Sequence, residues 1–398
     1  MTVNLTDPAV FHGGVPHAEF DRLRSEAPVH WTPTSTGAAT GGFWSLTRHD
    51  DIANAGRDTL TFTSTRGIRY PSAYNLPVSF RDNVIQNDPP RHTEIRRLVG
   101  AAFTPRMVAR FSDWITDQVK VILDGLTGRG ACDLVPLVAA ELPAQVICSV
   151  MGVPDDKRRQ VVQWADQIFS ESRYEDGIQR SNAASQAVME YALELRDQGW
   201  DVNNESMLGE LATAERDGVK ITDSMFMQLW FSLLIAGFET THTLIGQSLR
   251  MILENPGIAE QARTAVAGGK VRELVDEFLR VITPAMHMAR HATRDVELHG
   301  TTIREGDMVL LWYVAGNRDP SVFDEPHRFD YRRKPNTHQS FGGGGPHFCV
   351  GNHLARLEVQ VLLQEMFSRD LKISLNGEPE RGWSVFINQL FTLPAICE

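Results

Sequence analysis

The sequence predicts a mainly α-helical protein with small β-sheets, an α+β fold that forms one domain over residues 1–398. Between about Arg106 and Val281, apolar residues recur at helical spacing, whereas short strand-like segments lie near both ends of the chain. No internal repeat, low-complexity tract or convincing linker interrupts the sequence. These observations favour one domain over several.

Composition and charge limit the classes of partner. Of the 398 residues, 42% are hydrophobic and 22% are charged, which is typical of a globular protein with a large core. The net charge of −11 argues against nucleic acid or an anionic membrane as a general partner, but it allows a local basic patch. Four cysteines without a C-x-x-C pair predict neither a zinc site nor a disulfide framework. With no signal pattern at the N-terminus and no apolar run long enough for a bilayer, we expect a soluble, cytoplasmic protein without a membrane anchor.

Short elements precede the helical part of the chain. A helical pattern covers about Ala18–Glu26, strand patterns cover Val29–Trp31 and Gly42–Thr47, and another short helix opens at Arg48. Residues 59–88 have no clear period, and a long irregular loop in a compact protein is usually functional or disordered. Its apolar side chains favour a loop that folds over something.

A helix start follows this loop. Asp88 is predicted to cap the helix, with Pro89 at its first position. His92 and Arg96 are four residues apart and therefore share one helix face. Such a pair is either a solvated stripe or two groups that reach one anion.

One long helix is predicted to cross most of the domain. The helices expected in this part are about Arg106–Leu126, Leu134–Met151, Asp155–Ser170, Gln179–Gln198, Glu205–Arg216 and Thr222–Glu254. The middle of the last one is apolar on all sides, so we expect it to be buried. It nevertheless contains Ala236-Gly-Phe-Glu-Thr-Thr241, and a buried carboxylate with two hydroxyls is costly unless these groups are paired or functional.

The segments after the long helix are less regular. Glu277 and Arg280 lie three residues apart on a helix predicted at Val271–Val281, which by itself indicates no more than a salt bridge. Strand-like pieces follow Pro284, and further ones lie near Leu371–Leu375 and Phe386–Cys397.

A glycine-rich loop carries the most specific signal. Gly342–Gly345 lead to Cys349, and after Gly351 an apolar helical pattern begins. A helix N-terminus favours negative charge, so we expect a lowered pKa and a thiolate at Cys349, which is what a haem iron takes from a cysteine ligand. A lone cysteine is more often a buried apolar residue. A phosphate-binding loop, and with it a flavin or nicotinamide enzyme, fails on spacing because His347 occupies the third glycine's place.

Phe341, Gly344, His347, Cys349 and Gly351 together resemble the haem-ligand loop of the cytochrome P450 superfamily. The separation from Phe341 to Cys349 is eight residues where seven is usual, which resembles the variant loop of bacterial sterol and methyl-branched-lipid hydroxylases. The resemblance implies haem b between the long central helix and the helix after the cysteine loop. It makes Cys349 the axial ligand of the iron and His347 a contact of a haem propionate.

The same resemblance extends to motifs along most of the chain, in family order. It implies propionate contacts by His92, Arg96 and Arg290. Glu239 and Thr240 match the pair that relays protons for oxygen activation, with Thr241 as a supporting hydroxyl. Glu277 and Arg280 match a buried structural pair behind the cysteine loop.

The implied function is a monooxygenase that hydroxylates a C–H bond of a hydrophobic small molecule, such as a steroid, terpenoid or branched lipid, with O2. Because the sequence has no flavin, nicotinamide or iron–sulfur motif, we expect electrons from an external ferredoxin and its reductase. Arg97, Arg106 and Arg356 are candidates for a ferredoxin-docking patch. Candidates for the substrate pocket, besides the 59–88 loop, are Leu234, Phe238, Ala285, Met286, Met288 and Leu390.

Two alternatives remain open at this point. Within the same class of enzyme, the substrate could be a polyketide, a macrolide or a small aromatic compound. A different class would be a non-catalytic haem-thiolate sensor, although the Glu239–Thr240 pair and the lack of a signalling domain argue against it.

Overall fold

Helices are the main elements of this protein in a computed structural model, which describes residues 3–71, 82–100, 103–169, 176–197, 215–216, 219–369 and 371–398. The α-helices in chain order are α1 (Pro8–His12), α2 (His17–Glu26), α3 (His49–Arg57), α4 (Arg91–Gly100), α5 (Pro105–Ala109), α6 (Ser112–Asp124), α7 (Glu141–Val150), α8 (Asp155–Phe169), α9 (Gly177–Asp197), α10 (Asp223–Glu254), α11 (Pro256–Ala267), α12 (Val271–Ile282), α13 (Tyr313–Gly316) and α14 (Asn352–Ser368).

Short strands form small sheets beside the helices. The strands are β1 (Val29–Pro33), β2 (Gly42–Leu46), β3 (Phe62–Thr63), β4 (Gly130–Asp133), β5 (Glu215–Arg216), β6 (Val219–Lys220), β7 (Met288–Ala292), β8 (Val296–Leu298), β9 (Thr301–Ile303), β10 (Met308–Leu311), β11 (Ile373–Leu375), β12 (Glu380–Arg381), β13 (Leu390–Thr392) and β14 (Pro394–Cys397). The largest sheet has the order β1-β2-β10-β7-β3, in which only β2 and β10 pair in parallel. The predicted class, mainly helical with small sheets, is confirmed.

The longest helix, α10, has 32 residues and is the centre of the helical part. The Thr222 side chain caps its start by accepting a hydrogen bond from the backbone N–H of Met225. The helix ends at Glu254 because Asn255 already caps α11, with Pro256 at the first position of that helix. It packs against α7, α9, α12 and α14, and most of its side chains are buried. The long buried helix predicted from the sequence is therefore confirmed.

Three of the predicted helices differ from the structure. The stretch 106–126 is divided into α5 and α6, and the stretch 134–151 begins with a π-helical turn at Val135–Ala139 before α7. Pro136 lies in the first turn of this segment, where its missing N–H costs no hydrogen bond. The helix predicted at 205–216 ends in a strand, because residues 215–216 pair with 219–220; its residues 205–214 lie outside the described part of the chain.

The predicted helix cap at Asp88 is also wrong. Helix α4 begins at Arg91, and Asp88 contributes only its carbonyl oxygen, which accepts from the N–H of His92. The carboxylate instead accepts hydrogen bonds from the Ser64 backbone, the Ser64 hydroxyl and the Thr63 hydroxyl. These donors outcompete the helix end and tie the loop after β3 to α4.

No single helix among the residues described combines the length and the apolar composition that a membrane span requires. The segments Val135–Val150 and Asp155–Phe169 meet both criteria only as a pair bent by 118°.

A buried ion pair holds the loops between α13 and the cysteine segment. Arg280 and Glu277 have no exposed side-chain surface, and two hydrogen bonds of 2.7 and 2.8 Å join them. Arg280 also donates to the carbonyl oxygens of Asn317, Pro326 and Arg328, at 2.7–3.0 Å. The pair therefore satisfies buried backbone acceptors of three loop positions at once.

Arg280→Ala should lower the free energy of unfolding by about 3 kcal/mol, because it removes the bidentate partner of the buried Glu277 carboxylate and leaves only the weaker contact with Arg333 and two hydrogen bonds. Urea-induced unfolding followed by circular dichroism measures this change. As the matched control, Arg304→Ala removes an exposed ion pair with Asp295 and should leave the unfolding midpoint unchanged. Similar midpoints for the two variants would contradict the structural role of Arg280.

His287 joins three segments in a fully buried position. Its Nε2 accepts from the Tyr70 N–H and its Nδ1 donates to the Val385 carbonyl oxygen, each at 3.1 Å. Its ring meets Trp312 and Phe386 edge-on. Burial lowers the pKa of His287 from its ordinary 6.5 to about 3, so the folded protein keeps this imidazole neutral in mild acid.

This histidine should make the protein sensitive to mild acid. Between pH 6.5 and about 3, the unfolded chain takes up a proton that folded His287 refuses, so the free energy of unfolding falls as the pH falls. Between pH 7.5 and 5.5, this one group should account for about 1.4 kcal/mol. His287→Gln should lose that part of the pH dependence in urea titrations at the two pH values, and an unchanged pH dependence would contradict the assignment.

Candidate active site

Two hydrogen bonds of the Cys349 backbone fix the cysteine loop, one through its N–H and one through its carbonyl oxygen. The N–H of Cys349 donates to the carbonyl oxygen of Phe341 at 2.9 Å, which closes the loop. The Cys349 carbonyl oxygen accepts from the Asn352 side chain at 2.9 Å, and Asn352 is the first residue of α14. The half-buried side chain of Cys349 thus lies just before a helix N-terminus, as the sequence predicts.

The glycines of this loop serve close packing on α3. Gly344 and Gly345 have φ values of +95° and +85°, which side chains rarely tolerate. A Cβ atom at Gly343 would lie 2.9 Å from the Cα atom of Ala53, and one at Gly345 would lie 2.9 Å from the carbonyl oxygen of Gly56. The loop backbone therefore rests directly on the backbone of α3.

The sequence predicts a lowered pKa for Cys349, and this prediction is wrong when only the protein's own groups act on the thiol. Burial raises the pKa of this thiol, and the backbone N–H of Gly351 and the charges of Arg96 and Arg356 oppose that rise only in part. A coordinated metal cation deprotonates a thiol outright. A metal cation bound at Cys349 would thus favour the thiolate against the effect of burial.

Four basic side chains lie together beside the loop. The rings of His92 and His347 have centroids 4.4 Å apart, and His347 Nε2 lies 2.9 Å from the Ser64 hydroxyl. Arg96 donates to the carbonyl oxygen of Phe348, next to the cysteine. The charge of Arg290, from β7, acts on both histidines. The structure thus brings together all four predicted propionate contacts.

The charges of this cluster perturb one another. Burial, with the nearby His347 and Arg96, lowers the pKa of His92 to about 4. Burial likewise lowers the pKa of His347, and the Arg290 charge adds to the effect. Burial opposes ionisation of Asp88, but hydrogen bonds from His347, Thr63 and Ser64 hold its pKa well below the usual range. The two histidines are therefore neutral donors at pH 7, beside two guanidinium groups.

Two donors in this cluster have no partner among the described residues, namely His92 Nδ1 and Arg290 Nε. Both side chains are buried, at 2% and 3% exposed, so an unused donor is costly. Guanidinium and imidazole N–H groups in one place are the donors that bind carboxylates well. This donor set fits the carboxylate groups of a haem.

The middle of α10 has one accessible face in an otherwise buried helix. Thr240 Oγ1 donates to the carbonyl oxygen of Ala236 at 2.7 Å, and both residues are accessible. Ser232, Ile235 and Gly237 are partly accessible as well. Counting back from Thr240 in steps of three to four residues would have identified this face from the sequence.

Four of the predicted pocket residues are almost fully buried. Exposure is at most 2% for Leu234, Phe238, Met286 and Leu390. Leu234 and Phe238 lie on the face of α10 that packs into the helical core, and Met286 packs with Trp312 under the largest sheet. Ala285 and Met288 are partly accessible and remain candidates. Residues 72–81 of the predicted loop lie outside the described part of the chain.

Glu239 is buried next to the accessible face. Gln389 Nε2 donates to its Oε1 at 2.7 Å, and His242 Nδ1 lies 3.6 Å from its Oε2. The sequence analysis missed both neighbours. His242 shares the helix and could have been found from its i+3 spacing, whereas Gln389 is 150 residues away and gave no local signal.

The predicted docking patch has two accessible members. Arg97 and Arg106 are exposed. Arg356 is engaged within the protein, because its Nε lies 2.7 Å from Asp276 Oδ1 and its guanidinium covers the Phe341 ring at 4.4 Å. That arginine secures the cysteine segment to α12 and is better described as structural.

The chain is similar to known proteins over nearly its whole length. The family model described as Cytochrome P450 matches residues 178–373. A methyl-branched lipid omega-hydroxylase of Mycobacterium bovis is 32% identical over 383 residues, which cover 94% of this chain and 89% of that protein. A steroid C26-monooxygenase of Mycobacterium tuberculosis is 31% identical over 395 residues, which cover 96% of this chain and 90% of that protein.

Solved structures agree with these matches. A Mycobacterium marinum cytochrome P450 in complex with pseudoionone has a TM-score of 0.88 and 31% identity, and the match covers 99% of this chain and 98% of that one. P450BioI in complex with an acyl carrier protein that carries hexadec-9Z-enoic acid has a TM-score of 0.86 and 28% identity, covering 98% and 100%. Given these matches and a donor set that fits the cofactor, this chain belongs to the cytochrome P450 family of haem-thiolate monooxygenases.

Proposed function

We propose that this monooxygenase hydroxylates a C–H bond of a steroid, terpenoid or branched lipid, with O2 and two electrons delivered by an external ferredoxin. The observation that carries the proposal is the placement of Thr240 on the accessible face of α10, next to the buried carboxyl group of Glu239. An acid and an alcohol in this arrangement can supply protons where a reaction consumes them. A non-catalytic sensor has no need of such a pair.

Cys349, His92, Arg96, Arg290 and His347 are the residues that would hold the haem, the first through iron and the others through carboxylates. When bound, the haem would supply activation of O2 and transfer of one oxygen atom to the substrate. The chain would fix the orientation of the cofactor, because the cysteine loop rests on α3 and the basic cluster is tied to α4 and β7.

Thr240 and Glu239 would manage protons. The Thr240 hydroxyl proton is engaged with the Ala236 carbonyl oxygen, which leaves the Oγ1 lone pairs free to accept a hydrogen bond. The Glu239 carboxyl group, buried one residue away, would hold the proton to be delivered. Thr240 would thus accept a hydrogen bond from the group that is to be protonated and orient that group. Glu239 would supply the proton.

Several features support a hydrophobic substrate. Ile235 and Ala236 on the accessible face, and Ala285 and Met288 near the largest sheet, are apolar. The similar proteins named above are a branched-lipid hydroxylase, a steroid monooxygenase and a P450 with bound pseudoionone. Of these classes, we favour branched lipids and steroids, because the two relatives named for them match 94% and 96% of this chain.

The external ferredoxin is proposed because the sequence carries no motif for a second redox cofactor. Arg97 and Arg106 lie on the two helices that follow the 59–88 loop and are exposed, so they can meet an acidic protein by long-range attraction despite the net charge of −11. The exposed Phe348 is a possible apolar contact at the centre of such an interface.

The first experiment is a carbon monoxide difference spectrum of the reduced protein, followed by spectral titration with pseudoionone, a methyl-branched fatty acid and a steroid with a branched side chain. We expect a red-shifted Soret band that Cys349→Ala abolishes, because only the thiolate gives that shift. At least one of the three lipids should shift the resting spectrum. Binding of macrolides or small aromatic compounds alone would overturn the substrate proposal.

Thr240→Ala should uncouple electron use from hydroxylation while lipid binding is nearly unchanged, because the variant loses the Oγ1 acceptor and only one methyl group. The measurement is product formed per NADH with a surrogate ferredoxin and reductase, together with the dissociation constant from spectral titration. Thr241→Ser is the matched control, since Thr241 is buried and lies off the accessible face. Normal coupling in Thr240→Ala would sink the proton-handling role.

A further inference from the structure

Glu239 is a fully buried acid without a permanent cation beside it. Among the described residues, no arginine or lysine nitrogen lies within the 4.0 Å of an ion pair with its carboxylate. A buried carboxylate normally requires a cation or several donors. The neighbours it has are the amide of Gln389 on Oε1 and the imidazole of His242 near Oε2.

Gln389 is held firmly against α10. The preceding residue, Asn388, accepts from Gln247 Nε2 at 2.9 Å and donates to the Ile282 carbonyl oxygen at 2.7 Å. The N–H of Gly382 donates to the Gln389 carbonyl oxygen, and a Cβ atom at Gly382 would lie 2.6 Å from Gln389 Cβ. Residues on both sides thus aim the Gln389 amide at Glu239.

The neutrality of this amide matters for proton transfer. A guanidinium partner would stabilise the charged carboxylate and hold it in one state and one orientation. An amide N–H donates to the carboxylate and to the protonated acid alike, so it fixes Oε1 without locking the charge. Oε2 is left as the atom at which a proton can come and go.

His242 is placed to serve that atom. Its side chain is one turn from Glu239 on the same helix and is 6% exposed. Glu239 Oε2, His242 Nδ1 and His242 Nε2 all lack a hydrogen-bond partner among the described residues. A small rotation of either side chain closes the 3.6 Å gap between Nδ1 and Oε2 to hydrogen-bonding distance.

We propose that Gln389 and His242 are positioning residues for the Glu239 carboxyl group, and that His242 returns a proton to Oε2 after each delivery. This inference rests on the proposed function. Once Glu239 has given up its proton, a rotation of the His242 ring brings its buried Nε2 to solvent, where it takes up a proton, and the imidazolium then releases the Nδ1 proton to Oε2. Proton exchange of the ring with solvent returns the remaining proton from Nε2 to Nδ1, so each cycle moves one proton from solvent to Glu239 and leaves His242 unchanged.

Two variants test the proposal, Gln389→Leu and His242→Phe, each in the haem-loaded enzyme with a lipid that gives turnover. Both should lower product per NADH, by roughly tenfold, as is usual for partners one step removed from a reacting group. Both should raise the solvent isotope effect on NADH consumption, because proton delivery becomes slower. His242→Gln keeps a donor but cannot pass a proton, so it should behave as His242→Phe does; wild-type coupling in His242→Gln would overturn the relay.

A spectroscopic signal tests the contact without turnover. The infrared band of the Glu239 carboxyl group, assigned by its loss in Glu239→Gln, should shift in Gln389→Leu. Gln228→Leu is the matched control, because Gln228 is a buried glutamine of the same helix as Glu239 whose side chain contacts Asp82 and Ser224 instead. It should leave both the band and the isotope effect unchanged, and equal shifts in the two variants would contradict a specific role for Gln389.

The outcomes separate this inference from the proposed function. If Thr240→Ala is uncoupled while Gln389→Leu and His242→Phe are normal, the inference fails and the proposed function stands. If Thr240→Ala is fully coupled, the proton-handling part of the proposed function fails, whatever the infrared band shows.

Discussion

The burial of a 32-residue helix is the constraint on which the rest of this structure depends. Polar side chains that such a helix carries into the core are stabilised by partners from other segments. Gln228 accepts from the backbone of Asp82, Gln247 donates to Asn388, and Glu239 accepts from Gln389. Segments far apart in the chain are thereby fastened along one helix. The loop before α4 and the turn before β13 are both held against α10 by these hydrogen bonds.

Much of this arrangement could be predicted from local sequence. The period of 3.6 identified α10, and the glycine run with Cys349 identified the loop before α14, because both signals depend only on neighbours in the chain. The role of Asp88 was missed because its carboxylate is satisfied by Ser64, twenty-four residues away. Gln389 was missed for the same reason, since it lies 150 residues from Glu239 in the chain. Long-range pairing, rather than propensity, decided each of these cases.

Two parts of the candidate site would be stabilised by a charged partner, one by a cation and the other by an anion. Burial raises the pKa of the Cys349 thiol, so a cation bound there would favour its thiolate. The nearby His92 and Arg290 have unused donors, so they lack an anion. An iron porphyrin carries a metal cation at its centre and carboxylates at its rim, and it can therefore meet both requirements at once. Binding of the cofactor would therefore also balance the buried charges of this site.

The contact between the glycine loop and α3 links two parts of the chain that the sequence separates by nearly 300 residues. Gly343 and Gly345 touch the backbone of Ala53, Gly56 and Arg57, so neither partner can yield by rotating a side chain. A loop of different length would have to displace the end of α3 or lift Cys349 from its place before α14. Exchanging this loop for one with the common spacing is therefore a transplant of two segments, and engineered hybrids should carry α3 and the loop from the same parent.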